Sequence, residues 1–326
     1  MKRAMNLFIV SLLIFCGLAK TIHICGRPVI GDYEKAVDIE KNLESMEKLV
    51  HEREKNKKLS NMKIKSEKGI TNILLVGVDN RESRRNGRSD AMMILTLDQN
   101  KDKMKITSLM RDTYVYIEGH GKEKLNHSYA YGGINLLKKT VENTFKVKMD
   151  HYVIVDFQDF EKIVDLLGGV DVYVDEEEIG WIKKRFISEN KKMRELGEPG
   201  EMMLNGEETL AYSRIRFTSS GSYGRTERHR EVLNSIKNKT SKLSFFKYPK
   251  LIGTVVNSVT TDMKLGDILD YGYWYSKNLH MDMETLQIPV TEFSEGGIIN
   301  KEKGWVLQMD IEKNIEVLKK FVFNSK

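Results

Sequence analysis

The sequence predicts an α/β fold in which a mixed central β-sheet is flanked by α-helices on both faces. Short apolar runs of the kind found in buried strands alternate along the chain with longer segments whose apolar residues recur at helical spacing. Neither an internal repeat nor a low-complexity linker divides these segments. Because sheets and helices bury their apolar faces against each other, this alternation is typical of a layered domain. We expect one such domain over residues 71–326.

The domain begins with three predicted strands. Continuous apolar residues indicate strands at 73–78 and 91–97, and an alternating pattern indicates a third strand at 104–109. A polar segment at 79–90 follows the first strand. A turn at 98–102 separates the second strand from the third, so these two strands are expected to form a hairpin.

Helices and strands alternate after the hairpin. Apolar residues at helical spacing predict a helix that starts at the glycine pair 132–133. Residues 175–203 are charged and weakly patterned, and we expect them to form an excursion over the surface. Asn205 is the predicted N-cap of a short helix that ends at Tyr212. The other predicted elements are strands at 151–157, 170–174 and 285–288 and helices at 158–167, 225–239, 251–259 and 265–279.

Residues 1–31 form a predicted membrane anchor. A positive start, Lys2 and Arg3, precedes an uncharged and largely apolar run at 4–19. This run, with the residues that follow it, is long enough to enter and span a bilayer, and the positive-inside rule then places the rest of the chain outside. A cleaved signal peptide that ends near residues 17–19 is the alternative. Both interpretations place the domain outside the cell. The uncleaved anchor predicts a single-pass cell-membrane protein with an extracytoplasmic catalytic domain.

Residues 32–70 are rich in Lys and Glu, which predicts a charged helical stalk. Both cysteines, Cys16 and Cys25, precede this segment, so the domain contains neither a disulfide nor a cysteine nucleophile. The 326 residues are 40% hydrophobic and 31% charged, with a net charge of +6. This composition excludes a disordered chain and argues against a dedicated nucleic-acid-binding protein, but it is compatible with an anionic substrate or a membrane surface.

Three separated segments carry arginines that we expect to form one anion site. They are the stretch around Arg81 and Arg88, the stretch around Arg111, and the segment 214–228. Arginine is always charged and presents a planar fork of donors that matches two phosphate oxygens at once. The pattern therefore suggests phosphoryl recognition.

Arg214 and Arg216 have the alternate spacing that places two side chains on one face of a strand. Two cations on one face repel each other, so the pair needs either a bound anion or carboxylate partners. Glu207 and Glu208 are the candidate partners. The spacing alone leaves phosphate binding and ion pairing equally open.

Asp79 and Asp90 lie at the edges of predicted strands, where a sheet brings loop residues together. Two carboxylates beside several arginines suit Mg²⁺, which favours a few carboxylates together with water and phosphate oxygens. The alternative is that both are turn residues that stabilise local backbone. Tyr129 and Tyr131 either line a groove for a hydrocarbon tail or belong to the core.

The segments that carry these residues also resemble a known family. Over about residues 71–233, the chain is similar to the LytR-CpsA-Psr (LCP) family, with matching blocks in the family's order. These blocks are NILLVGVDNR, GRSDAMMILTLD, ITSLMRDTYVYI, KLNHSYAYGG, YVIVDFQDFEKIVDLLGGVDV, LNGEETLAYSRIRF and GRTERHREVL.

The resemblance implies an enzyme that moves a glycopolymer, such as teichoic acid or capsule, from an undecaprenyl-pyrophosphate carrier to peptidoglycan. A phosphodiester forms and undecaprenyl phosphate is released. It implies that Asp79 and Asp90 hold Mg²⁺, which Mn²⁺ could replace, and that Arg111 belongs to the catalytic residues with them. The residues implied to bind the pyrophosphate are Arg88, Arg111, Arg214, Arg216 and Arg225, with Arg81, Asn126, Arg228 and His229 on further motif positions.

Two residues depart from the family pattern. Met110 stands where the family commonly has proline, and His229 stands where it commonly has glutamine. His229 either replaces the glutamine as a hydrogen-bond donor or weakens the site. The expected partners are the lipid-linked glycan, the peptidoglycan acceptor and the membrane, and no nucleic acid. A carrier-binding regulatory or attenuator protein is one alternative, and the intact aspartate and arginine positions favour an enzyme over it. A lipid pyrophosphatase that transfers to water is the other, and the sequence does not distinguish it from transfer to a sugar.

Overall fold

The computed structural model describes residues 57–79, 89–216, 221–242 and 248–323. Within these ranges, no helix is long and apolar enough to cross a membrane. The predicted anchor, most of the predicted stalk, Arg81 and Arg88 lie outside the described residues.

The central sheet is mixed. It has the order β10-β3-β2-β1-β6-β9, with β1–β2, β2–β3 and β6–β9 antiparallel and β1–β6 and β10–β3 parallel. The predicted hairpin of the second and third strands is confirmed. The strands are β1 (Ile70–Val78), β2 (Ser89–Asp98), β3 (Lys103–Leu109), β4 (Tyr114–Ile117), β5 (Gly121–Lys124), β6 (His151–Asp156), β7 (Val170–Val174), β8 (Gly200–Leu204), β9 (Val259–Thr261), β10 (Met283–Ile288), β11 (Ser294–Ile298) and β12 (Trp305–Met309).

Helices cover both faces of this sheet. The helices are α1 (His127–Phe145), α2 (Phe157–Leu166), α3 (Glu176–Ser188), α4 (Gly206–Ser213), α5 (Gly221–Ser241), α6 (Tyr248–Ser258), α7 (Leu265–Lys277) and α8 (Ile311–Phe323).

Successive residues of β1 point to opposite faces of the sheet. Leu74 packs in a core that includes Leu137 of α1 and Leu318 of α8. Ile73 packs on the other face, where Trp274 of α7 contributes to a smaller core. Apolar residues on both faces of a central strand are what burial between two helical layers requires. The predicted α/β class is therefore confirmed.

A further core lies beside the central sheet, between α2, α3, α4, α5 and a two-stranded sheet of β7 and β8. The predicted strand at 170–174 forms, but it pairs with β8 and not with the central sheet. This core includes Val172 and Ile182, both nearly inaccessible to solvent. It carries the two helices, α4 and α5, that contribute arginines to the site described below.

The segment 175–203, which we expected to form an excursion over the surface, contains two elements that the sequence analysis did not predict, α3 and β8. Ile179, Ile182 and Phe186 recur at helical spacing and are buried. Asp175 also caps the helix, because its side chain accepts a hydrogen bond from the backbone N–H of Glu178. The dense charges on the exposed face of α3 hide this short apolar stripe in the sequence.

The helix expected to start at 132–133 is part of α1, which starts at His127 and has a kink at the two glycines. Gly133 has φ +62° and ψ −155°, a conformation that residues with a side chain avoid. The glycine pair therefore separates a short helical segment that starts at His127 from the longer segment that follows, so the predicted helix does begin at the glycines, and the segment before them was not predicted.

The C-terminal helix is held by a buried lysine. Lys105 of β3 is inaccessible to solvent, and its ammonium donates hydrogen bonds to the carbonyl oxygens of Phe321 at 2.8 Å and Val322 at 3.1 Å. Asp98 of β2 lies 3.7 Å from the same ammonium. Lys105 therefore joins the central sheet to the end of α8, an element that the sequence reasoning did not predict.

Candidate active site

The two predicted metal-binding aspartates lie at the same end of the β1–β2 pair. Gly77 pairs with Ala91, but Val78 pairs with Ser89, so Asp90 is the extra residue of a β-bulge. Bulges redirect a side chain out of the regular ladder and are frequent beside active sites. Asp79 directly follows β1. The fold therefore brings the two carboxylates to neighbouring strand ends.

Asp90 binds two arginines that are far apart in sequence. Arg111 Nη1 donates to Asp90 Oδ1 at 2.6 Å, and Arg216 Nη2 donates to the same oxygen at 3.3 Å. Arg111 follows β3, and its Nε also lies 3.4 Å from Asp112 Oδ2. The structure thus joins the second and third arginine segments at one carboxylate, as the single anion site requires.

Arg214 binds the other aspartate. Its Nη2 donates to Asp79 Oδ2 at 3.2 Å, and its guanidinium carbon lies 4.5 Å from the centre of the Phe157 ring. Arg214 is the C-cap of α4, and Arg216 follows in an irregular segment. The expected strand at these two arginines was therefore wrong, and both converge through the turn that ends α4.

The expected partners of these arginines also differ from those found. Glu208 binds Arg194, with Nε to Oε1 at 2.7 Å, and Glu207 binds Lys191 at 3.0 Å. Glu208 is instead part of the N-terminal capping box of α4. Asp79 and Asp90 are the carboxylates that neutralise Arg214 and Arg216.

Arg225 of α5 is 5% exposed, and its Nε has no hydrogen-bond partner among the described residues. Burial and the nearby charges of Arg111 and Arg216 lower its pKa to about 10. Burial and Arg111 also lower the pKa of Arg216. A buried cation among other cations is stabilised by an anion, so the cluster is suited to a ligand with more than one negative charge.

Arg214, Arg216 and Arg225 line a cavity of about 900 Å³, counting the open space at its mouth. Most of the lining is apolar and comes from the sheet, α2 and α5. The apolar residues include Leu75, Met93, Val153, Phe157, Phe160 and Leu233. The polar part of the lining includes Asp90, Arg214, Arg216, Arg225 and His229. The cavity therefore suits an amphipathic molecule with a long apolar part and an anionic group.

His229 is a neutral member of this lining. Its Nε2 lies 2.9 Å from the carbonyl oxygen of Ser213 and donates to it. Burial and the charge of Arg225 lower the pKa of His229 to about 4. The imidazole is thus uncharged at neutral pH, with Nδ1 as an acceptor, and it supports the backbone directly before Arg214.

Two other predicted residues lie outside the cavity lining. Arg228 is 5% exposed, and its Nε donates to Glu178 Oε1 at 2.6 Å. The backbone N–H of Asn126 donates to the carbonyl oxygen of Arg111 at 3.2 Å. Arg228 therefore joins α5 to α3, and Asn126 supports the segment that carries Arg111.

The sequence reasoning did not identify the apolar lining. Tyr129, which was considered for a hydrocarbon groove, packs against the main core, and Tyr131 stacks on His120 with ring centres 4.2 Å apart. One sequence pattern could have identified part of this lining, and it lies on α5. Arg225, His229 and Val232 recur at helical spacing and all line the cavity.

Asp79 and Asp90 fit the ligand set that Mg²⁺ uses. Each carboxylate is partly accessible, with side-chain exposures of 29% and 19%, and each supplies hard oxygen donors. In the described part of the chain, no group of three or more His, Cys, Asp or Glu residues has the arrangement of a metal site. Two carboxylates suffice for Mg²⁺ when phosphate oxygens and water complete its coordination.

Comparison with known proteins identifies the family of this chain and several of its relatives. The LytR_cpsA_psr family model matches residues 33–320. The regulatory protein MsrR of Staphylococcus aureus (strain COL) is 31% identical over 257 residues, which are 78% of this chain and 75% of MsrR. The polyisoprenyl-teichoic acid–peptidoglycan teichoic acid transferase TagV of Bacillus subtilis (strain 168) is 32% identical over 294 residues, 88% of this chain and 70% of TagV.

A solved structure extends the similarity to the fold. The family protein YwtF (TagT), determined with bound octaprenyl pyrophosphate lipid, superposes with a TM-score of 0.61 and 28% identity. The superposition covers 81% of this chain and 95% of that protein. The chain belongs to the LytR_cpsA_psr family.

Proposed function

We propose that this protein transfers a glycopolymer from a polyprenyl-pyrophosphate carrier to peptidoglycan at the outer surface of the cell membrane. The observation that carries the proposal is the cavity, whose apolar lining meets Arg214, Arg216 and Arg225. A polyprenyl chain matches the apolar lining, and a pyrophosphate matches the arginines. The name of TagV and the lipid bound to TagT support this substrate class.

In the proposed reaction, a hydroxyl oxygen of a peptidoglycan sugar attacks the phosphorus that carries the glycan. A new phosphodiester bond forms, the bond from that phosphorus to the bridging oxygen breaks, and polyprenyl phosphate leaves with the electron pair. The proton of the acceptor hydroxyl passes to solvent or to the leaving phosphate, which balances the step. Phosphoryl transfer depends mainly on positioning and on neutralising charge on the nonbridging and leaving oxygens.

Arg111 and Arg216 are already oriented for this role by their shared contact with Asp90 Oδ1. Arg214 is oriented by Asp79 and by the ring of Phe157. Rigid guanidinium groups lose little freedom when they bind phosphate oxygens, which favours transition-state stabilisation. When bound, Mg²⁺ held by Asp79 and Asp90 would supply further positive charge to the phosphate oxygens.

The decisive test uses the full chain in detergent with a short-chain lipid pyrophosphate that carries a labelled disaccharide. Polyprenyl phosphate release and label on peptidoglycan are both measured, with and without Mg²⁺. Label that becomes attached to peptidoglycan, and that is lost in Asp90→Asn, supports transfer. Release without attachment identifies a pyrophosphatase and refutes the transferase.

A carrier-binding regulatory role is the second candidate, because the relative MsrR is named as a regulatory protein. It uses the same cavity but needs no acceptor. Tight binding of the lipid pyrophosphate with neither release nor attachment, in the presence of Mg²⁺ and peptidoglycan, would support this role over the transferase.

A further inference from the structure

The outer face of the β4–β5 hairpin carries aromatic and basic side chains. Tyr114 pairs with Lys124 and Tyr116 pairs with Lys122, and alternate residues of a strand share a face. Tyr116 is 65% exposed, Lys122 is exposed, and Tyr114 and Lys124 are partly exposed. Val115, between the two tyrosines, is instead buried in the main core. The hairpin therefore presents two tyrosines and two lysines to solvent, and these four residues are called the hairpin face below.

The hairpin face is continuous with the arginine site. Asp112 Oδ2 lies 3.4 Å from Arg111 Nε, and Asp112 Oδ1 lies 3.7 Å from Lys124 Nζ. Lys124 is the cross-strand partner of Tyr114, and Tyr116 lies two residues further along β4. Four residues of strand extend about 13 Å, so the row from Asp112 to Tyr116 is long enough for a disaccharide. A glycan bound on this face would thus reach Arg111 with one end.

The hairpin and the apolar cavity lie on opposite sides of the central sheet. Val115 of the hairpin belongs to the same core as Leu74 of β1, whereas Leu75, the next residue of β1, lines the cavity. Arg111 and Asp90 lie between the two sides, at the ends of their strands. In an in-line displacement, the attacking and leaving oxygens are on opposite sides of the phosphorus. If polyprenyl phosphate leaves on the side of the cavity, the acceptor hydroxyl arrives from the side of the hairpin.

The side chains of the hairpin face suit a glycan that carries carboxylates. Tyrosine rings offer a flat apolar surface and a hydroxyl, which match the apolar face and the hydroxyl groups of a sugar. Among the described residues, Lys122 has no carboxylate within ion-pair distance, so its ammonium is available to an anion. Peptidoglycan combines sugars with the carboxylates of its stem peptides, and this is the acceptor of the proposed reaction.

Contacts with α1 hold the hairpin in place. The His120 ring, in the turn between β4 and β5, stacks on Tyr131 of α1 with ring centres 4.2 Å apart. Glu118 of the same turn lies 2.6 Å from the Lys139 ammonium of α1. A surface that is ordered before binding loses little freedom when a glycan binds to it.

We propose that the hairpin face, formed by Tyr114, Tyr116, Lys122 and Lys124, binds the acceptor peptidoglycan strand and directs a sugar hydroxyl towards Arg111. The inference rests on the proposed function and assigns a binding surface to its second substrate.

The test measures transfer by the full chain in detergent, with a lipid pyrophosphate that carries a labelled disaccharide and with soluble uncrosslinked peptidoglycan strands as acceptor. The double variant Tyr116→Ala and Lys122→Gln changes only exposed side chains of the hairpin face. We expect its KM for peptidoglycan to rise about ten-fold, as the loss of one ring contact and one charge-assisted contact implies. The kcat at saturating acceptor and the affinity for polyprenyl pyrophosphate, measured by calorimetry, should remain those of wild-type protein.

The matched control is the double variant Tyr173→Ala and Lys183→Gln. Tyr173 is 58% exposed on β7 and Lys183 is exposed on α3, so the control removes the same side-chain types from another surface. Its KM for peptidoglycan should stay at the wild-type value. An unchanged KM in the hairpin variant, or an equal rise in the control, would overturn the proposal. A hairpin variant that raises only the KM for the lipid donor would assign the face to the carrier or the membrane and overturn it as well.

The wild-type protein separates this inference from the proposed function. If wild-type protein attaches no label to peptidoglycan at any acceptor concentration, the proposed function fails, and the assignment of the hairpin face fails with it. If wild-type protein attaches the label and the hairpin variant does so with the same KM for peptidoglycan, only the assignment of the hairpin face fails.

Discussion

The guanidinium of Arg214 lies over the ring of Phe157, with its central carbon 4.5 Å from the ring centre. This pair marks the point where the charged and apolar linings of the cavity meet. A ligand that reaches both residues must change from apolar to anionic over a short distance, which is the chemistry of a lipid pyrophosphate and not of a soluble nucleotide or a neutral lipid.

Removing Arg111 should abolish transfer without unfolding the protein. Arg111→Ala eliminates the 2.6 Å contact with Asp90 and one cation beside the phosphates, and we expect kcat/KM to fall at least about 100-fold. The kcat/KM of Arg111→Lys should lie between those of wild-type protein and Arg111→Ala, because lysine keeps the charge without the planar fork. Lys162→Ala, which removes an exposed lysine paired with Asp159, is the control. Retention of wild-type activity in Arg111→Ala would show that the cluster has no catalytic role.

The apolar lining should set the dependence on chain length. Leu233→Ser places a hydroxyl in the lining without disturbing a fully buried position, and we expect weaker binding of long polyprenyl pyrophosphates and little change for inorganic pyrophosphate. The matched change Ile187→Ser alters an apolar side chain that is 77% exposed and lies outside the cavity lining. Equal losses for the lipid and for inorganic pyrophosphate would argue against a tail in this cavity.

His229→Gln should retain transfer. The neutral imidazole donates to the Ser213 carbonyl, and the amide of glutamine is also an uncharged donor. We expect kcat/KM at pH 7.5 to stay within a factor of about three of the wild-type value. Complete loss of transfer with normal folding would show that the imidazole has a role that glutamine cannot perform.

The same substitution should change how stability depends on pH. The pKa of His229 falls from 6.5 to about 4 on folding, so the unfolded chain binds more protons between these values. The contribution of His229 to the free energy of unfolding is therefore largest above pH 6.5 and decreases as the pH falls through this window. Urea unfolding at pH 7.5 and pH 5 should show that wild-type protein loses more stability on acidification than His229→Gln. Equal losses in both proteins would contradict the lowered pKa.

Lys105 should contribute to stability through its buried contacts. Lys105→Ala removes the donor to the end of α8 and the cation that lies 3.7 Å from buried Asp98, which we expect to cost about 3 kcal/mol in the free energy of unfolding. Lys103→Ala is the matched control two residues earlier on β3, because it removes an exposed ion pair with Glu284 and should change stability little. Similar effects of the two substitutions, measured by urea unfolding, would contradict a structural role for Lys105.

Local patterns predicted those parts of the fold and site that depend on neighbours in sequence. The apolar run before Asp79 is a strand. Asp79 follows the end of that strand and Asp90 lies near the start of the next, so the antiparallel pair brings both to the same end of the sheet. The N-cap at Asn205 also forms as predicted, with its side chain accepting from the Glu208 N–H at 2.9 Å. In each case the local signal and the tertiary structure agree.

The remaining features depend on packing between distant segments. The alternate spacing of Arg214 and Arg216 suggests a strand, but burial of Leu210, Ala211 and Tyr212 holds the preceding residues in a helix. The cavity is lined by side chains from β1, β2, β6, α2, α4 and α5, and no sequence pattern specifies which of them meet. Periodicity identifies the apolar face of each element but not the space that remains between them.

The bulge at Asp90 makes the position of this carboxylate depend on the length of β2 as well as on residue identity. Gly77 pairs with Ala91 and Val78 with Ser89, so the ladder has one register before the extra residue and another after it. If this extra residue were lost, the ladder would become regular, with Ala91 still opposite Gly77 and Ser89 still opposite Val78, and no side chain would be turned out of the ladder at this point. The carboxylate would then be lost from the edge of the cavity although most of the motif remained. In comparisons of related chains, a one-residue gap at this position therefore matters as much as a substitution of the aspartate itself.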